Sequence, residues 1–142
     1  MIRKISHVSL VVRDQDEAAD WYCQKLGWVV KSDGPFPGNP ANRWLTIAPA
    51  EQSEIEVVLE LPQWSMAAGT SAADSVGKGP GFVLVSDDCR GDYERLKANG
   101  VQFMDEPAEL PWGVSCSFMD LYGTMHNLLQ PLDSYGRGLE PA

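Results

Sequence analysis

His7 is the first side chain that could bind a metal ion or move a proton, and it stands in an alternating stretch, Ile5-Ser6-His7-Val8-Ser9-Leu10-Val11-Val12. Alternation rich in β-branched residues predicts a strand. His7, Ser9 and Val11 then share one face, and Val8, Leu10 and Val12 the other. Aromatic rings are the second resource. The chain has five tryptophans, and Trp44, Phe82 and Trp112 are candidate stacking surfaces, with core packing as the competing fate of each. Trp21 and Tyr22 read as core. Thiol chemistry is not favoured. Cys23, Cys89 and Cys116 make no CxxC spacing, which argues against a disulfide framework and a zinc ribbon, and no base is visible to activate a thiol. Gly77, Gly79 and Gly81 lack the strand-before, helix-after setting of a phosphate loop and read as linker.

The elements that must position these groups come in two similar sets. Asp14 is suited to cap a helix, with Glu17 three residues on, close to a capping box. Ala18, Trp21, Tyr22, Lys25 and Leu26 follow at helical spacing, Lys25 suits the helix dipole, and Gly27 reads as the C-cap. Residues 28–31 read as a strand, and 32–42, SDGPFPGNPAN, as a long loop able to form a lid or pocket rim. Residues 43–47 and 54–61 read as two more strands. Residues 62–80 are small, polar and glycine-rich, which suggests a linker holding a helical turn near 65–68. The pattern then restarts: strand 81–86, a helix opened by Asp87 and Asp88 and running to Gly100, and strands 101–104, 114–119 and 124–129. This gives one domain of 1–142 with module one at 1–61, linker 62–80, module two at 81–131 and a tail at 132–142. Two β-α-β-β-β units form a long-period internal repeat.

Bulk numbers exclude several classes. The net charge is −9, which disfavours nucleic acid as a partner, since phosphate backbones are bound by basic surfaces. Solubility is the plain meaning of that charge, and attraction of a cationic small molecule the sharper one. No stretch reaches the roughly 18–20 apolar residues of a membrane span. The start, MIRKISH, has no apolar segment of signal type, so a cytoplasmic location is expected.

Three stretches, HVSLVVRDQDEAADWYCQKLGW, ERLKANGVQF and FMDLYGTMHNLLQP, resemble the vicinal oxygen chelate superfamily of glyoxalase I, bleomycin-resistance proteins, fosfomycin-modifying enzymes and extradiol dioxygenases. The resemblance covers nearly the whole chain. It implies an α+β fold in which two βαβββ modules form curled mixed sheets around a cavity, and a homodimer. It also implies four ligand positions for a divalent metal, which fall here on His7, Glu60, Phe82 and Asn127. Phenylalanine has no donor and a carboxamide oxygen is a weak one for zinc, nickel or iron. His126 is next to Asn127, but alternation points it to the opposite face.

The expectation is therefore a cavity that binds a small organic molecule, aromatic or cationic, with His7, Glu60, Phe82 and Asn127 at its centre and Trp44 on its wall. No cofactor or complete metal site is expected. The alternative is a lyase or dioxygenase holding Zn, Ni, Fe or Mn through His7 and Glu60, or using them as a metal-free proton-transfer pair. In module two, Ser115 and Ser117 are expected to face the cavity rather than Cys116.

Overall fold

Asp14 is where the chain first changes from strand to helix. Its backbone is extended (φ −144°, ψ 123°), and its side chain accepts a hydrogen bond from the Glu17 N–H at 2.9 Å, satisfying one of the orphan donors of the first turn. Thirteen residues later Gly27 takes the left-handed conformation (φ 73°) and donates its N–H to the Cys23 carbonyl, which ends the helix. Asp88 repeats the N-terminal device, accepting from the Gly91 N–H at 3.0 Å. The computed structural model describes residues 1–52, 54–65 and 75–132. The chain forms two compact units, Met1–Gly79 and Pro80–Ala142.

The first unit contains β1 (His7–Val11), α1 (Gln15–Leu26), β2 (Trp28–Phe36), β3 (Asn39–Pro49) and β4 (Glu56–Glu60). Its sheet has the order β1-β4-β3-β2, with β1 parallel to β4 and the other pairs antiparallel. Leu10, Val12, Leu45, Ile47, Val57 and Leu59 are buried with Ala18, Ala19 and Tyr22 of α1. Trp28 is buried too, its ring 5.0 Å from that of Tyr22. The β3–β4 pairing is short, Thr46 with Val58 and Ile47 with Val57. Just beyond it, the buried Gln15 amide donates to the carbonyls of Arg43 and Leu59 at 3.0 and 2.9 Å, so a side chain of α1 ties the two strands where their own ladder stops. Arg43 then clamps the hairpin to the helix. It meets Asp33 through two bonds of 2.9 Å and Asp16 at 2.7 Å, and this guanidinium holds the Asp33 carboxyl below the usual carboxylate range.

The stretch 32–42 corrects the sequence expectation. It is not a loop but the distal half of a hairpin, turning at Gly38 between β2 and β3. Its prolines suggested a break. β2 is an edge strand, however, and an edge can carry a residue without an N–H, here Pro35 at a register shift.

The second unit contains β5 (Val83–Val85), α2 (Cys89–Ala98), β6 (Gln102–Phe103), β7 (Ala108–Leu110), β8 (Gly113–Met119) and β9 (Met125–Pro131). Its sheet runs β5-β9-β8-β6, with β5 parallel to β9 and β7 paired to β8. The short β7 is an element the sequence reading lacks. Cys89, Tyr93, Val101, Cys116, Phe118 and Leu128 are buried. The two units thus repeat one plan, a mixed sheet in which the first strand lies parallel to the last. The helical turn expected at 65–68 lies largely outside the described residues, as does most of the tail. Among the described residues no helix is long and apolar enough to cross a membrane.

Candidate functional site

In the first unit, the face opposite the helix carries a run of rings. Parallel register sets His7 beside Glu56 and Val11 beside Glu60, and antiparallel register sets Thr46 beside Val58. Paired residues share a face, and so do residues two apart, so His7, Glu56, Glu60, Thr46 and Trp44 project together. The Thr46 hydroxyl confirms this by donating to Glu56 Oε1 at 2.5 Å. The His7 ring meets Trp44 edge-on at 5.3 Å, Trp44 meets Phe36 at 5.6 Å, and Phe36 meets Trp64 at 5.2 Å. After β4 the N–H groups of Trp64 and Ser65 both turn back to the Leu61 carbonyl. That turn places the Ser65 hydroxyl 2.8 Å from Glu60 Oε1, to which it donates. Glu60 is buried, 8% exposed, whereas His7 is exposed, with Nδ1 bonded to the Ser6 hydroxyl at 2.9 Å. The arrangement offers aromatic edges and faces to a flat molecule and carboxylates to a positive group.

His7 and Glu60 enter the sheet at different levels. Their backbones lie at opposite ends of the β1–β4 ladder, four residues or about 13 Å apart along the strands, while the His7 ring leans to within 5.3 Å of the Trp44 ring. Phe82 adds no donor, and the Asn127 carboxamide is engaged with two serines. Among the described residues no group of three His, Cys, Asp or Glu side chains is disposed around a common point. Of the four positions that the resemblance implies, only His7 and Glu60 carry strong donors for a first-row ion, and no step is assigned to one.

In the second unit Phe82 and Asn127 are neighbours, the Asn127 N–H donating to the Phe82 carbonyl at 2.9 Å, but their side chains turn different ways. Register pairs Val83, not Phe82, with Asn127. Phe82 instead stacks on His126 at 5.1 Å with planes 9° apart, and its N–H donates to His126 Nδ1 at 3.0 Å. His126 is 1% exposed and lies 5.5 Å from the buried Phe118 ring. Because Nδ1 accepts, the neutral ring carries its proton on Nε2, which faces Asp120 Oδ2 at 3.9 Å. Burial pushes the His126 pKa down, and the Asp120 charge opposes that shift. The half-buried Phe82 ring thus turns toward His126. Asn127 sits on the opposite face with Ser115 and Ser117. Ser115 Oγ donates to Asn127 Oδ1 at 2.6 Å, and Asn127 Nδ2 reaches Ser117 Oγ at 3.4 Å. Between the serines, Cys116 turns inward to lie 3.9 Å from Cys89, where burial raises both thiols, Cys116 to about 12. Neither is a nucleophile at neutral pH. Trp112 is 48% exposed at the turn into β8.

Sequence reasoning missed Phe36, Glu56, Trp64 and Ser65. Phe36 was hidden by its proline-rich neighbours, and Trp64 by the glycine-rich stretch that follows it. Reading residues 32–42 as a hairpin about Gly38 puts Phe36 on the sheet and brings it within reach of Trp44.

The sequence matches the Glyoxalase/Bleomycin resistance protein/Dioxygenase superfamily over residues 4–130. Among solved structures it is similar to UcmS2, at 34% identity over 91% of this chain and 98% of that one, with a TM-score of 0.78. It is also similar to TnmS3, an antibiotic binding protein from Streptomyces sp. CB03234, at 30% identity over 92% of this chain and 98% of that one, with a TM-score of 0.76. An uncharacterized protein of Shewanella frigidimarina is 31% identical over 134 residues, 92% of this chain and 95% of its own length.

Proposed function

Since the chain belongs to the Glyoxalase/Bleomycin resistance protein/Dioxygenase superfamily, we propose that it binds a small planar organic molecule on the ring-lined face of its first unit, by packing rather than by metal chelation. The observation that carries this reading is the connected run His7, Trp44, Phe36 and Trp64 beside the buried Glu60. Aromatic contacts of this kind contribute about 0.5–1.5 kcal/mol each beyond area burial, and the two terms together favour a flat ligand. A carboxylate at the edge of the run favours a cation, and a buried carboxylate is costly unless something positive or hydrogen-bonding accompanies it. The likeness to TnmS3, itself an antibiotic binding protein, supports sequestration over turnover.

The test uses proflavine, a planar aromatic cation, titrated against tryptophan fluorescence. Saturable quenching is expected. Phe36→Leu and Trp44→Leu should each weaken binding about ten-fold, since each removes roughly 1–2 kcal/mol of ring contact. Glu60→Gln should weaken it about three- to ten-fold. Unchanged affinity in both Phe36→Leu and Trp44→Leu would remove the ring face as the binding surface. The dimer that the family resemblance implies belongs to the same proposal, and light scattering giving twice the 15.6 kDa chain mass is the expected result.

A further inference from the structure

Cys89 and Cys116 stand 27 residues apart in sequence, with none of the spacing that marks a redox pair, yet the fold brings their sulfurs to 3.9 Å. Cys89 is the first residue of α2, and Cys116 lies in the middle of β8. Both are free thiols, and their side chains are 0% and 1% exposed. The surrounding backbone holds each in place. The Cys89 N–H donates to Gln130 Oε1 at 3.0 Å, its Sγ lies 3.8 Å from the Leu128 carbonyl, and Cys116 is paired with that same Leu128 across the β8–β9 ladder. A disulfide needs its sulfurs at about 2.05 Å, so the pair must close by roughly 2 Å, a movement shared between two side chains that each swing about a Cα–Cβ bond. The third thiol, Cys23, belongs to α1 in the first unit.

We propose that Cys89 and Cys116 form a latent disulfide, made by hydrogen peroxide, that ties the first turn of α2 to β8. One sulfur, as the thiolate, attacks a peroxide oxygen. The O–O bond breaks, leaving a sulfenic acid and releasing the first water once the other oxygen is protonated. The second sulfur then attacks the sulfenic sulfur, the S–S bond forms, and the remaining oxygen leaves as the second water. In sum two thiols give up two electrons and two protons, and one hydrogen peroxide becomes two waters. Burial sets the timing. In the closed structure both thiols keep their protons and do not react. The first turn of α2 is where the structure opens most readily, because Cys89 is its first residue and the exposed Asp88 caps it through the Gly91 N–H at 3.0 Å. Once that turn opens, the Cys89 thiol meets water and regains its ordinary acidity. The disulfide then closes a loop over residues 89–116 and holds the turn shut.

The inference is independent of the ring-lined face of the first unit. Its test treats the full chain with hydrogen peroxide, blocks remaining thiols with N-ethylmaleimide in urea, and counts adducts by mass before peptide mapping. One adduct, on Cys23, and a peptide joining Cys89 to Cys116 are expected. Asp88→Ala removes the cap without touching either thiol and should speed the reaction about five-fold. In the oxidised chain the Asp92 N–H, which donates to the Asp88 carbonyl at 2.9 Å, should exchange with deuterium several-fold more slowly than in the reduced chain. In Cys116→Ser the reaction should stop at a Cys89 sulfenic acid, trapped by dimedone. Three adducts in the native chain, under conditions that link the urea-unfolded chain, would overturn the inference. So would a link that uses Cys23, or oxidation of Cys89 to the sulfinic acid with no bridge. A rate unchanged in Asp88→Ala, or an unchanged Asp92 exchange rate after oxidation, would overturn the role given to the first turn of α2.

Discussion

His126 shows how one side chain can fix the start of an element. Its Nδ1 accepts the N–H of Phe82, the residue just ahead of β5, while the Phe82 ring lies flat on it. Protonation of Nδ1 would set two donors against each other at 3.0 Å. The native pKa is lowered by burial, so below the ordinary histidine value near 6.5 the unfolded chain binds more protons than the native one. Stability due to His126 is then complete above about pH 6.5 and is lost as pH falls toward the lower native value. The urea midpoint should drop between pH 7.5 and 5.5. His126→Asn keeps an acceptor near Nδ1 but neither titrates nor stacks. It should cost about 2 kcal/mol at pH 7.5 and flatten the slope below it. An unchanged slope in the variant would assign the pH dependence to other groups. The opposite facing of His126 and Asn127 was legible, because strand alternation alone requires it. The place of Phe82 was not. It depends on which residue of β5 opposes Asn127, and that register is set by Gly81 meeting Met125, a contact between residues far apart in sequence.

At the scale of elements, what could be read locally was read well, and what depends on pairing was not. Caps are local, so Asp14, Gly27 and Asp88 marked the helix ends in the sequence. The β2–β3 hairpin was hidden because proline and glycine carry the same local signal in a loop and in an edge strand. The levels at which His7 and Glu60 enter the ladder were hidden for the same reason. Each sits in a clear strand, but only the ladder shows that they occupy its two ends. Gly81→Ala tests how far one contact governs an element. Its Cβ cannot fit against the Met125 carbonyl, so β5 must shift or detach. The Asn127 N–H, which donates to Phe82 at 2.9 Å, and the Ser86 N–H, which donates to Leu129 at 2.8 Å, should exchange with deuterium at least ten-fold faster, while amides of β3 and β4 keep their rates. Uniform acceleration across both units would mean that the substitution lowers global stability instead. A second link is Gln15, whose amide holds two strand carbonyls from the helix. Gln15→Leu should cost about 2–3 kcal/mol, because it strands buried acceptors as well as removing bonds, and urea unfolding measures it directly.

For the whole molecule the open matter is what the net charge of −9 is for. Solubility needs only that the charge exist, whereas steering of a cation needs the field to act on the rate of encounter. A single anchoring carboxylate acts differently, by holding the ligand once bound, and so governs the rate of release. The two can be separated by stopped-flow mixing with proflavine at 20 and 300 mM sodium chloride, in the native chain and in Glu60→Gln. Screening shortens the reach of the field to under about 6 Å at the higher salt. If the overall field steers, association should slow several-fold with salt in both proteins, by nearly the same factor, because one charge of nine changes the field little. Dissociation should be faster in Glu60→Gln at either salt, since Glu60 lies buried at the end of the ring run and is less screened than the surface. An association rate indifferent to salt would leave the acidic surface with solubility as its only role, and the preference for a cation would then rest on Glu60 and the rings alone.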